Sequence, residues 1–153
     1  MIQSSREAHL QELMLRELPV ARFMAVRVEA RDERGLTLRS PEAPNKNAHG
    51  TMFGGSIGAL ALLAGWGFVR LQLEEEKVHA EVVVQRSELD YRTPVLGEAT
   101  ALARAPTADE WDRFRKLLTR RGKARIKLTV EVTGAGSSQP NVVMEGWFVA
   151  LTQ

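Results

Sequence analysis

Asn45-Lys46-Asn47-Ala48-His49-Gly50-Thr51-Met52-Phe53-Gly54-Gly55-Ser56 opens a run that continues as Ile57-Gly58-Ala59-Leu60-Ala61-Leu62-Leu63-Ala64-Gly65-Trp66-Gly67-Phe68-Val69. From Thr51 to Val69 no side chain is charged. A helix that is apolar all round must be buried on every side or lie in lipid. The glycine pair near its start lets backbone come close to another group. Free N–H groups at a helix start can also hold a developing negative charge. The run therefore reads as the central helix of a small acyl-binding domain. Its nineteen uncharged residues just reach the length of a membrane span. With Ser56 as N-cap, however, the helix proper is about 14 residues, the length of a buried core helix. No membrane span is expected.

Composition supports one globular domain over residues 1–153. The 44% hydrophobic and 26% charged shares are ordinary for such a domain. Met1 to Glu7 carries no apolar signal core, so a cytoplasmic location is expected. The chain has no cysteine, which excludes disulfides, thiolate metal sites and a cysteine nucleophile. A formal net charge of +2 is too small an excess to suggest a nucleic-acid partner.

Outward from the central run, the pattern alternates between helix and strand periods. Ser4-x-x-Glu7 suggests a capping box, followed by Leu10, Leu13, Met14 and Leu18 at helical spacing until Pro19. Met24, Val26 and Val28 predict a first strand, and Asp32-Glu33-Arg34-Gly35 a turn into a second. After Lys77 the period returns to two through Val78, Ala80, Val82 and Val84, and a further strand carries Ala99, Ala101 and Ala103. Thr107-x-x-Glu110 opens an amphipathic helix that Gly122 is placed to end. Ala124 to Val132 and Val142 to Leu151 supply two more strands. The class is α+β: one curved antiparallel sheet wrapped around a long central apolar helix. An open sheet edge and an uncovered helix face would then need a second copy, giving a homodimer or a dimer of dimers. Glu74-Glu75-Glu76 fits poorly at a helix C-terminus, where the dipole disfavours negative charge.

His49-Gly50-Thr51-Met52-Phe53-Gly54-Gly55-Ser56 and Leu89-Asp90-Tyr91-Arg92-Thr93-Pro94 resemble the H-G-x-x-x-G-G and x-x-Y-x-x-P signatures of phenylacetate-type thioesterases of the hotdog fold. Asn47, Gly54-Gly55-Ser56, Gly65-Trp66 and Gly122-Lys123-Ala124-Arg125-Ile126 resemble a subgroup of thioesterase-like domains, some attached to N-acetyltransferases. The resemblance covers nearly the whole chain. It implies an acyl-CoA or acyl-carrier-protein thioesterase without cofactor, active between two subunits. An amide at or beside Gly55 would polarise the thioester carbonyl, with Phe53, Gly54 and Trp66 on the substrate. It also implies a carboxylate about two turns into the helix, and here that position is Leu62, with no Asp or Glu between Glu42 and Glu74. The domain either activates water through another residue or binds thioesters without cleaving them.

The residues that could replace the acid are few. His49 either serves as a general base or is a loop histidine bonded to backbone. Asn47 and Asn45 either orient water or bind the thioester oxygen, or they make turns beside proline. Ser56 caps the helix or positions a water, and Asp90 supplies a carboxylate from a strand end or is simply solvated. His79 and Glu81 have no recognisable third ligand, so no metal is expected. Trp66, Phe68 and Trp147 either line an acyl pocket or pack the core or an interface. Arg120 and Arg121, within the basic run Arg113 to Arg125, either attract carrier phosphates or form a solvated face.

Overall fold

The computed structural model describes residues 5–153; the expected cap at Ser4 lies outside them. Helix α1 spans Ser5–Glu17 and α2 Pro19–Phe23. Strands β1 (Arg27–Asp32) and β2 (Gly35–Ser40) form a hairpin, and a short 3-10 turn at Ala43–Asn45 leads toward α3 (Gly54–Glu75). Then come β3 (Ala80–Tyr91), β4 (Ala99–Arg104), α4 (Ala108–Arg121), β5 (Lys123–Gly134) and β6 (Val142–Thr152). All six strands form one antiparallel sheet in the order β1-β2-β4-β5-β6-β3.

Period-two sequence decides which face of the sheet is wet. On β5, Ala124, Ile126, Leu128, Val130 and Val132 are buried while Arg125 and Lys127 are exposed. Leu36 and Leu38 of β2, the alanines of β4, and Met144 and Phe148 of β6 join them around α3. The helix fits closely because two of its glycines face bulky neighbours. A Cβ on Gly65 would lie 2.3 Å from Phe148 Cζ, and one on Gly67 would lie 2.9 Å from Leu36 Cδ2.

Four expectations change. The first strand starts at Arg27 rather than near Met24, because Pro19 does not merely stop α1 but occupies the first turn of α2. Helix α3 begins at Gly54, so Ser56 is inside the first turn and is not the cap. At 22 residues α3 is also longer than expected, long and apolar enough by length and composition to cross a membrane; 61% of its most apolar window is buried within the fold. Finally, the acidic run has a structural account. Glu75 pairs with Arg6, Glu74 meets His9, and Glu76 accepts from Trp111 Nε1 and Arg115 Nε. The run ties the end of α3 to α1 and α4.

Helix α4 follows its sequence signals. Thr107 and Glu110 form a reciprocal capping box, and Gly122 sits in the left-handed region at φ 69°, where any larger residue would be strained. Gly65→Ala should destabilise the domain by about 1–3 kcal/mol, the range for overpacking a filled core. Phe148→Leu should relieve part of that cost in the double variant. Urea denaturation of the three variants checks the coupling, and additive effects would disprove the contact.

Candidate functional site

The helix entry is built by the loop before it. Asn45 is buried at 2% exposure, and its Nδ2 faces Met24 O, Ser40 Oγ and Pro41 O at 2.8–3.0 Å. Phe53 N–H donates to Asn45 O and Met52 N–H to Val95 O, which fixes where the helix starts. Asn47 holds the intervening turn: its Oδ1 accepts from His49 N–H and Thr51 N–H, and its Nδ2 donates to Thr51 Oγ1. Both ends of that amide are thus committed to turn geometry. His49 is exposed near the tip, and its ring meets no partner among the described residues.

No side chain caps α3. Phe53 occupies the N-cap position without a side-chain hydrogen bond, and Ile57 N–H is the first to close back, on Phe53 O. The amides of Gly54, Gly55 and Ser56 belong to the first turn, which an α-helix leaves without internal acceptors. Gly55 is glycine for space: a Cβ there would lie 2.5 Å from Phe53 Cε1. The Phe53 ring is 59% exposed and folds over this entry. From the end of β3, Tyr91 Oη donates to Gly54 O at 2.9 Å. The tyrosine of the sequence signature therefore anchors the helix entry to the sheet.

The interior of α3 is not apolar and covered all round. Gly55, Ala59, Leu62 and Trp66 recur at three- and four-residue spacing and are among the positions left partly or fully exposed, while Leu60, Ala61, Ala64 and Phe68 are buried. This stripe runs from the glycine pair into an apolar groove of about 430 Å³ lined by Leu62, Leu63, Trp66, Val82, Val84 and Phe148. Trp66 Nε1 donates to Val82 O and pins the stripe beside β3. On its other side β3 has no strand neighbour among the described residues, so a twelve-residue edge lies open next to the groove.

The expected site residues divide accordingly. Phe53, Gly54, Gly55, Ser56 and Trp66 share the entry and stripe of α3, with His49 and Asn47 on the loop leading to it. Asp90 does not join them. It alternates with Tyr91, pairs with Val143 on the outer face of the sheet, and binds Arg92 at 2.8 Å. Phe68 is core, packed edge-on to Trp111. Trp147 is on the outer face under Arg86 and Lys127, away from the groove. Arg120 and Arg121 end α4, at the opposite end of α3 from the glycine pair within one chain. His79 and Glu81 line a small polar cleft with Arg70, and no cluster of three potential ligands occurs among the described residues. The groups whose ionisation the fold shifts lie elsewhere. Hydrogen bonds to Glu29 and Glu98 raise Arg39 further, and burial lowers Arg31. A larger cleft of about 710 Å³, lined by Gln11, Arg16 and Arg27, sits at the β1 edge of the sheet and shares no lining residue with the groove.

Comparison with known proteins agrees with the geometry. Among solved structures, a Chlorobaculum tepidum protein of unknown function is 31% identical, with 96% of this chain and 94% of that chain covered and a TM-score of 0.91. A structure described as a putative thioesterase from Shewanella oneidensis is 28% identical over 97% of this chain and 99% of that one, with a TM-score of 0.85. The Haemophilus influenzae thioesterase HI1161, 16% identical with a TM-score of 0.70 over 98% and 93% of the two chains, shares the hotdog fold. Residues 7–152 match the family model described as "Putative thioesterase (yiiD_Cterm)", and the chain belongs to that family.

Proposed function

We propose that this protein hydrolyses acyl thioesters of coenzyme A or of an acyl carrier protein, between two copies of the chain. The observation that carries the reading is an uncapped helix N-terminus opening directly onto an apolar stripe. The thioester oxygen sits on the amide of Gly55 or its neighbour, and the acyl chain runs along Ala59 and Leu62 toward Trp66. One preorganised amide donor is worth about 2.7–4 kcal/mol of barrier. Val83, Val84 and Tyr91 are exposed on the open β3 edge. Pairing β3 with β3 of a second copy across a two-fold axis covers that edge and closes the groove with its own duplicate.

A second reading, a thioester-binding module that does not cleave, is favoured by the acid side of the site. Leu62 stands on the stripe where a carboxylate would face the glycine pair, Asp90 is on the outer face, and the Asn47 amide is committed to its turn. Among the residues expected to act on water, His49 keeps its ring free. Hydrolysis is accordingly slow.

A thiol-release assay over acyl-CoAs of several chain lengths tests the reading. His49→Ala should lower kcat by about 10²-fold or more, the lower end of general-base contributions, with KM little changed. Asp90→Asn and Ser56→Ala should leave kcat essentially intact. Fast turnover indifferent to His49 would sink this assignment of the base; tight binding of an acyl-CoA with no turnover would establish the module instead.

Assembly is checked separately. Sedimentation should show a dimer at micromolar concentration. Val84→Lys, which sets a charge in the groove beside the edge, should shift it toward monomer and weaken acyl binding together. A stable wild-type monomer would contradict the two-chain site.

A further inference from the structure

From Gly54 to Leu73 the one charged residue of α3 is Arg70. Between Leu60 and Leu71 the helix leaves only Leu62, Trp66 and Arg70 short of full burial, each about one turn beyond the last. Arg70 therefore continues the stripe that runs from the glycine pair. Its side chain is only 20% exposed. A guanidinium carries five N–H donors, and buried donors ordinarily find acceptors. Here the group makes no hydrogen bond among the described residues. Its Nη2 stands 3.9 Å from Glu17 Oε1, and the same oxygen is 4.0 Å from Arg16 Nη2. Both separations are too long for a hydrogen bond. Glu17 sits between two cations and is hydrogen-bonded to neither of them.

Arg70 lines a cleft of about 260 Å³ with His79, Ala80 and Glu81. This cleft follows on from the apolar groove, because β3 runs back along α3. Tyr91 bonds Gly54 O at the helix entry, and Val82 O accepts from Trp66 Nε1 further along. One strand repeat beyond Val82, Ala80 shares the cleft with Arg70. Groove and cleft are successive parts of one crevice between α3 and β3, apolar near the glycine pair and polar at the far end. Arg70 lies roughly 22 Å past Gly55 along the helix axis, at 1.5 Å per residue. Its side chain leans toward the helix N-terminus, so with up to one turn of reach the gap is roughly 17–22 Å. An extended chain advances about 1.2 Å per bond, a third of the rise of an extended residue, so about 14–18 bonds span that gap.

We propose that Arg70 receives the ω-carboxylate of a dicarboxylic acyl chain of about 14–18 carbons whose thioester lies at the glycine pair. The inference rests on the thioester reading above and adds to it a class of acyl group. A carboxylate offers two acceptors to the planar fork of a guanidinium, a pairing that is both strong and directional. A plain alkyl chain of the same length ends against the guanidinium and leaves its donors unsatisfied. The cleft selects for reach as well as for charge. Glu81 lines it and Glu17 borders Arg70, so an anion that stops short of Arg70 meets two carboxylates instead.

The test measures binding to the full chain by calorimetry. The probes are hydrolysis-resistant thioether analogues of hexadecanoyl-, hexadecanedioyl-, octanoyl- and octanedioyl-CoA, each below its aggregation concentration. Wild type should favour the hexadecanedioyl over the hexadecanoyl analogue by about tenfold, near the lower end for a hydrogen bond to a charged group. Arg70→Met, which keeps an unbranched apolar stem, should abolish that preference. Arg70→Lys, which keeps the charge without the fork, should retain part of it. Glu17→Gln should tighten the hexadecanedioyl analogue, because it removes a competing carboxylate. The preference within the eight-carbon pair should not respond to Arg70, since octanedioyl ends well short of it. A wild type that favours the hexadecanoyl analogue, or a preference that survives Arg70→Met, overturns the assignment. So does an equal response of the eight-carbon pair. If Arg70→Met does not fold, the wild-type preference and Arg70→Lys carry the comparison. A shift of the folded Met variant toward monomer in sedimentation would make the occupant a carboxylate of a second copy and overturn the proposal. Free hexadecanoate that competes as well as the hexadecanedioyl analogue, in an Arg70-dependent way, would make the occupant a free acid and overturn it too. A wild-type protein that binds none of the four analogues refutes the thioester reading itself. One that binds the plain-chain analogues without regard to an ω-carboxylate refutes only the role of Arg70.

Discussion

The fold depends on how closely α3 lies on the sheet. Phe148 fills the space where a side chain on Gly65 would stand, and Leu36 and Met14 crowd Gly67 in the same way. Close-packed interiors tolerate little change in volume, so these two glycines set the distance between helix and sheet. That distance fixes much else. It lets Trp66 reach Val82 O, and it lets Tyr91 reach Gly54 O. The helix entry is thereby held from the sheet side by Tyr91 and from the loop side by Asn45. An anion site made of backbone amides needs this kind of support, because its donors cannot be aimed by rotating a side chain.

The same packing leaves a deficit. A single sheet can cover only part of the circumference of a helix. The incompletely covered part of α3 includes the apolar stripe Gly55, Ala59, Leu62 and Trp66. Composition alone says that the helix must be surrounded; the structure shows that one chain does not finish the task. The stripe, the groove and the open β3 edge lie side by side, so one copy-to-copy contact would satisfy all three. The unpartnered apolar surface and the candidate acyl path are thus one surface, which explains why substrate binding and assembly are coupled in the proposed function.

Much of the fold is legible in the sequence because its signals are local and repeated. The alternation from Ala124 to Val132, the Thr107–Glu110 box and Gly122 each specify geometry within a few residues, and each appears as expected. Less legible are features decided by distant partners. Ser56 has the chemistry of a cap, but the bonds of Phe53 and Met52 to Asn45 and Val95 start the helix three residues earlier. Glu74 to Glu76 is misplaced by dipole reasoning alone; Arg6, His9, Trp111 and Arg115, which satisfy it, come from other elements. Asp90 is a reasonable substitute acid on spacing alone; strand alternation, read from the Tyr91 contact, turns it to the outer face. A register cannot be fixed from one strand when a bulge such as that between Val84 and Arg86 reverses the facing of every later residue.

The missing acid bears on what the glycine pair can achieve by itself. An oxyanion donor stabilises charge after attack has begun, whereas a general base makes the attacking oxygen available. The two contributions are of similar size, each a few kcal/mol, and they act on different atoms. On the proposed reading, an entry that retains the first and has Leu62 in place of the second would hold a thioester polarised but without a strong nucleophile beside it. Replacing Leu62 with a carboxylate is no simple remedy. The side chain lies in an apolar groove, where burial raises the pKa of an acid and disfavours its charged form. A useful carboxylate there would need a donor to hold it ionised, and the surrounding side chains, Leu63, Trp66, Val82, Val84 and Phe148, offer only an indole N–H already given to Val82 O. The whole groove, and not one residue, is built for hydrocarbon. On the hydrolytic reading proposed above, a base would have to come from the loop at the mouth or from a second copy of the chain.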